Sequence, residues 1–170
     1  MDPRSKPMSI VSRAQSRFLA VADRLSFLGP TLARLTLGVI FIGTGWGKLH
    51  GLDKVTDFFT ELGIPAPGFN AVLASTAELV CGTLLLVGLL SRLASLPLIV
   101  VMTVAILTAK RDALHGIADL LGFEEWSYIV LAVSIAVAGP GPVSLDRLLQ
   151  HLLRRSSRST PESTGPIVAT

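Results

Sequence analysis

Most hydrophobic positions in this chain do not recur with amphipathic spacing. They gather into four long runs, over residues 30–46, 69–90, 93–109 and 126–138, with polar stretches between them. Runs of this length and purity predict helices immersed in lipid. Pro30 suits a helix start, Trp46 a membrane interface, and Gly139-Pro140-Gly141-Pro142 a firm stop. Between the first two runs, Asp53 reads as an N-cap, Val55, Phe58, Phe59 and Leu62 share one side, and Gly63 ends a short surface helix. Two further stretches pair an apolar side with a basic one, as helices lying in the interface do. In the first, Ile10, Ala14, Phe18, Val21, Leu25 and Leu28 accompany Arg13, Arg17 and Arg24. In the second, Leu145, Leu148, Leu149, Leu152 and Leu153 oppose Arg147, Arg154 and Arg155, with Ser144 as the cap. The segment after residue 109 reads as a loop holding His115, Asp119 and Glu124.

The expected fold is an all-α polytopic membrane protein, an antiparallel four-transmembrane-helix bundle with short interfacial helices. Its parts are a basic tail with an interfacial helix over residues 1–29, the bundle over 30–143, a second interfacial helix over 144–155 and a disordered tail over 156–170.

Half of the 170 residues are hydrophobic and only 16% are charged, which excludes an ordinary soluble domain. The net charge of +3 does not point to nucleic acid, because the basic residues flank hydrophobic runs, where anionic lipid headgroups are the simpler partner. Arg4, Lys6, Arg13, Arg17 and Arg24 precede the first run, Arg92 lies between the second and third, and Arg147, Arg154, Arg155 and Arg158 follow the fourth. By the positive-inside rule both termini are expected in the cytoplasm. The one cysteine, Cys81, sits within an apolar run and reads as a buried thiol, with neither a disulfide nor a Cys-based metal site available.

Three ionisable residues stand inside the runs or at their ends: Arg34, Lys48 and Glu78. At about 100° per residue, Gly38 and Gly45 fall within roughly 40° of Arg34 around the helix, and Lys48 returns to the same stripe. Ala71, Ala74, Ser75 and Gly82 likewise share a face with Glu78. Small residues beside charges let two helices approach closely, and a carboxylate in lipid must face protein and find a cation. With about 1.5 Å of rise per residue, Glu78 lies roughly 9 Å in height from Lys48 and roughly 12 Å from Arg34. Lys48 is the better placed direct partner, with Arg34 reaching by water or a polar relay.

Beyond this triad the chain lacks the usual signs of a reaction. It has no CxxC, no His pair at ligand spacing and no dinucleotide fingerprint, and His50, His115 and His151 are scattered. No metal site is expected, and no cofactor is encoded in the chain. An electron carrier must come from outside, as a membrane quinone or a redox partner protein. Arg34, Lys48 and Glu78 would bind the quinone, with Glu78 as the catalytic proton-exchanging group. Pinning of the first two spans together is the purely structural alternative.

Arg34-x-x-x-Gly38, Gly45-x-Gly47-Lys48, Leu62-Gly-Ile-Pro65, Glu78 followed by Gly82 and Leu85-Leu-Val-Gly88, Arg92, and Gly139-Pro-Gly-Pro-Val-Ser-Leu-Asp146 occur in an order that resembles the DoxX family. The resemblance covers roughly residues 30–149. It implies a bacterial inner-membrane protein of four spans, related to the DoxD-like subunits of thiosulfate:quinone oxidoreductases. Characteristic polar positions carry over to Arg34, Lys48, Glu78 and Asp146. Gly122-Phe123-Glu124-Glu125 resembles the family's Gly-aromatic-Glu entry to the last helix, which adds Glu125 to Asp146 as a structural polar residue. The implied role is an accessory subunit of a quinone-linked or thiol/sulfur redox system. The alternatives are a non-catalytic scaffold or small-molecule-binding protein that organises partner enzymes, or a homo-oligomeric transporter. A transporter would lack the broken helices and inverted repeats expected of one.

Overall fold

The computed structural model describes residues 27–139 continuously, together with Gln15, Phe18, Leu19, Leu25, Gly141 and residues 144–147. The N-terminal tail, most of the first interfacial helix, residues 148–155 of the second and the C-terminal tail lie outside these residues. The described chain is helical, with no strand. Six α-helices follow one another: α1 Leu28–His50, α2 Leu52–Glu61, α3 Pro67–Val87, α4 Ser91–Thr108, α5 Ile117–Gly122 and α6 Glu124–Ala138. A single 3₁₀ turn, Arg111–Ala113, follows α4.

Helices α1, α3 and α4 are each long and apolar enough to cross a membrane. The fourth helix of the bundle, α6, has 15 residues and is about 22 Å long at 1.5 Å per residue. The protein is thus a polytopic all-α membrane protein. Helices α1, α3, α4 and α6 form a closed ring in that order, each packed on the next, while α2 rests on α3. Leu37, Phe41, Leu85, Leu98 and Ile135 fill the middle of the ring and are fully or almost fully buried. Large apolar side chains on the outward faces, such as Val39, Leu93, Leu107 and Val137, are exposed, as a lipid-facing surface requires.

The register of α1 against α3 follows from their glycines. A Cβ on Gly38 would lie 2.9 Å from Leu86 N, one on Gly82 2.9 Å from Ile42 N, and one on Gly45 2.5 Å from Leu79 N. As residue numbers rise on α1 they fall on α3, so the helices are antiparallel and in backbone contact along most of their length. The small-residue faces expected on each helix are the faces that meet. At this separation van der Waals packing supplies the association that the hydrophobic effect cannot supply in lipid.

Helices α3 and α4 are joined by three residues, 88–90. Gly88 ends α3 in the left-handed region (φ +79°), where its N–H reaches the Leu84 and Leu85 carbonyls and Leu89 N–H returns to Leu84, a Schellman cap. A Cβ at Gly88 would also run into the Arg34 guanidinium and Ser144. Gly88→Ala is therefore expected to lower stability by about 1–3 kcal/mol, combining backbone strain with a clash. Thermal unfolding in detergent checks this, and an unchanged midpoint would mean that the turn is not under this constraint.

Three local expectations change. Asp53, read as the N-cap of the surface helix, lies inside the first turn of α2, whose N-cap is Gly51. The segment read as a loop after residue 109 contains α5, a six-residue helix entered from an extended Gly116. The last helix begins at Glu124, two residues before the expected start, with Glu124 and Glu125 in its first turn, where carboxylates favour the helix dipole.

Candidate functional site

Lys48 lies in the last turn of α1 and Glu78 near the middle of α3. Close packing at Gly45 brings the two helices near enough for the lysine stem to reach inward. Lys48 Nζ donates to Glu78 Oε1 at 2.5 Å. The burial of the pair is lopsided: the Glu78 side chain is 0% exposed and that of Lys48 is 37% exposed. The lysine side chain thus stays partly exposed while its ammonium neutralises a carboxylate in the protein interior, as long cationic side chains do near helix ends. Glu78 Oε2 is buried and accepts no hydrogen bond from the described residues. Nearby Ser75 does not serve it, because the Ser75 hydroxyl donates to the Ala71 carbonyl of its own helix at 2.6 Å.

Arg34 is not brought to this pair. It precedes Lys48 by fourteen residues on α1, roughly 21 Å along the axis. Its side chain is buried at the other end of the bundle, within electrostatic reach of Asp146. The expected triad thus divides: Lys48 and Glu78 form an ion pair, and Arg34 lies apart within electrostatic reach of Asp146. Glu125 forms a third contact, a 3.8 Å ion pair with Lys110, whose ammonium lies 5.8 Å from the centre of the Phe123 ring.

Tyr128 carries no signal in the sequence beyond being the single tyrosine of the chain. Its ring meets Phe41 edge-on at 5.7 Å, and its hydroxyl donates to Glu124 Oε2 at 3.2 Å. Phe41 in turn packs against Gly82, one turn from Glu78, so an aromatic pair connects this region of the core to the acidic start of α6. Among the described residues no group of His, Cys, Asp and Glu is arranged to hold a metal ion.

A model of the DoxX family matches residues 29–111. The “Uncharacterized membrane protein Rv3486” of Mycobacterium tuberculosis is 37% identical over 127 residues, spanning 68% of this chain and 78% of that protein. The chain belongs to the DoxX family. Other relatives of this DoxX protein include “Putative oxidoreductase CatD” of Bacillus subtilis, 31% identical over 114 residues, with 67% of this chain and 80% of CatD covered. Inner membrane protein YqjF of Escherichia coli is 27% identical over 126 residues, with 74% of this chain and 95% of YqjF covered. No solved structure matches the chain. The stretch matched to DoxX contains Arg34, Lys48 and Glu78, whereas Glu125 and Asp146 lie beyond it.

Proposed function

We propose that this DoxX protein is an accessory subunit of a membrane redox system, in which Lys48 and Glu78 bind a weakly acidic, membrane-soluble ligand and move its proton. One observation carries the proposal: Glu78 is completely buried, with one oxygen on the Lys48 ammonium and the other without a donor among the described residues. An acceptor beside a fixed cation suits a ligand X–H that donates to Glu78 Oε2 and whose developing X⁻ is stabilised by Lys48. Hydroxyls of a hydroquinone and thiols of a sulfur carrier both have this character.

A quinol is the first choice, since it dissolves in the same lipid. The name carried by CatD supports a redox setting. Backbone contact at Gly45 and Gly82 leaves no slot for a flat ring between α1 and α3, so the ligand approaches from the Lys48 end, where the lysine is exposed. The donor set fits a quinol there: Glu78 accepts from a hydroxyl, and Lys48 faces the oxygen that gains charge. A quinone held there would supply a two-electron, two-proton couple, of which Glu78 would take or return one proton, while the second proton and both electrons would pass to the partner enzyme of the redox system. Arg34 belongs to this reading only through the fold. We place the protein in the bacterial inner membrane with both termini cytoplasmic, so the Lys48 end faces outward. Reporter fusions at the C-terminus that are active only in the cytoplasm check that orientation.

Lipid extraction of purified wild-type protein and of Glu78→Gln tests the assignment. Wild type is expected to retain quinone and the variant to hold about tenfold less, equivalent to about 1.4 kcal/mol of binding. Equal amounts in both, or none in either, would overturn the quinol reading. The second reading, a scaffold without chemistry of its own, rests on α2. Its Asp53, Asp57 and Glu61 form one exposed acidic row beside the half-exposed Phe58, and a basic partner protein that copurifies independently of Glu78 would favour it.

A further inference from the structure

After α6, the described residues Gly139, Gly141 and 144–147 lie against the Arg34 end of the bundle and form a strap there. Gly139, in the left-handed region (φ +85°), lies so close to Arg92 that a Cβ there would meet its Nε and Nη2 at 3.1 Å. Gly141 (φ +78°) lies equally close to Thr31 on α1, at 3.1 Å from its hydroxyl to a Cβ. Ser144 then turns the chain, donating its hydroxyl to the Gly141 carbonyl at 3.1 Å and accepting the Arg147 N–H at 3.3 Å.

Asp146 fixes this strap to the turn between α3 and α4 by two reciprocal bonds. Its own N–H donates to the Gly88 carbonyl at 3.1 Å, and its Oδ1 accepts the Leu90 N–H at 2.9 Å. Leu90 itself is strained, a non-glycine residue at φ +49° immediately before the first turn of α4. The carboxylate thus occupies the positive end of an 18-residue helix and lies within electrostatic reach of the buried Arg34. Among the described residues, Asp146 is the only carboxylate at this end, since Asp53, Asp57, Glu61, Asp112, Asp119, Glu124 and Glu125 lie at the other and Glu78 lies between.

We infer that Asp146 is a charge latch, whose negative charge, set between the α4 N-terminus and Arg34, holds the strap closed over this end of the bundle. A buried guanidinium and a helix N-terminus both call for an anion, and the chain supplies one from its own later sequence. Polar contacts of Ser144 and Gly141 position the strap, but neither neutralises Arg34. This inference is independent of the ligand proposed for Lys48 and Glu78.

Ser91 gives the readout, because it is 0% exposed and directly follows Leu90, whose N–H Asp146 accepts. In a Cys81→Ala background carrying Ser91→Cys, the rate of labelling by a soluble maleimide reports opening of the strap. Adding Asp146→Ala is expected to raise that rate at least about tenfold, as loss of a local closing interaction does. Millimolar acetate, which can stand in for the missing carboxylate, is expected to slow it again. Equal rates with and without Asp146, or an acceleration that acetate leaves unchanged, would overturn the latch. Should Asp146→Ala fail to fold, hydrogen exchange in the wild-type chain decides the matter. A Leu90 amide protected as well as the amides within α4 supports the latch, and one exchanging at an unprotected rate refutes it.

Discussion

Replacing Lys48 by methionine is expected to destabilise the protein by about 3 kcal/mol, whereas Glu78→Gln is expected to cost only about 1 kcal/mol. The asymmetry comes from burial. Glu78 is 0% exposed, so removing the ammonium strands a buried carboxylate without its counter-ion, which must protonate or pull the helices apart. Lys48 is 37% exposed, so when the acid is removed its flexible stem can swing the ammonium out to the interface. A double change, Lys48→Met with Glu78→Leu, is expected to return to within about 1 kcal/mol of wild type, because a buried ion pair replaced as a whole by apolar side chains usually costs little. Denaturant unfolding in a mild detergent checks all three. If the two single variants lose stability equally, the burial asymmetry is not what governs the pair. A double variant as weak as Lys48→Met would show that packing, and not charge, dominates.

Gly45→Ala is expected to cost about 3 kcal/mol, at the upper end of the range for overpacking, while Gly43→Ala on the same helix is expected to gain about 0.5–1 kcal/mol. The two positions are two residues apart and face opposite ways. A Cβ at Gly45 would lie 2.5 Å from Leu79 N and 2.9 Å from the Ser75 carbonyl oxygen, both backbone atoms that can yield only if α1 and α3 separate. A Cβ at Gly43 meets nothing within 4 Å. There the added methyl only removes conformational freedom from the unfolded chain. Separation at Gly45 also lengthens the path from Lys48 to Glu78, so Gly45→Ala is expected to weaken the ion pair along with stability. Midpoints of thermal unfolding for the two variants should move in opposite directions, and a common direction would remove the basis for the α1–α3 register.

How much of this was legible in the sequence depends on whether the information was local. Helical spacing alone placed Gly38 and Gly45 on one stripe and Gly82 beside Glu78, and those residues are the ones at which α1 and α3 touch. Heights along the helices also favoured Lys48 over Arg34 as the direct partner of Glu78, and the ion pair forms there. That Asp146 comes within electrostatic reach of Arg34 was not legible, because it is brought there only beyond the break at residue 139, by its bonds to Gly88 and Leu90. No periodicity records such bonds. Helix α5 escaped for a simpler reason: six residues after an extended glycine make fewer than two turns, too few for a 3.6-residue pattern to show. The contact of Tyr128 with Phe41 depends on how α6 packs against α1, which neither helix encodes alone. Polar residues within one helix pair could be matched from sequence, whereas those joined through a third element could not.

The central claim is that Glu78 is neutralised by Lys48 within the protein. Solid-state NMR of the full chain in lipid bilayers, with ¹⁵N-labelled lysine and ¹³C-labelled glutamate, tests it most directly. A strong dipolar contact between Lys48 Nζ and Glu78 Cδ that vanishes in Glu78→Gln is the expected result. A Glu78 carboxyl that shows contacts to lipid acyl chains, and none to Lys48, would contradict the account.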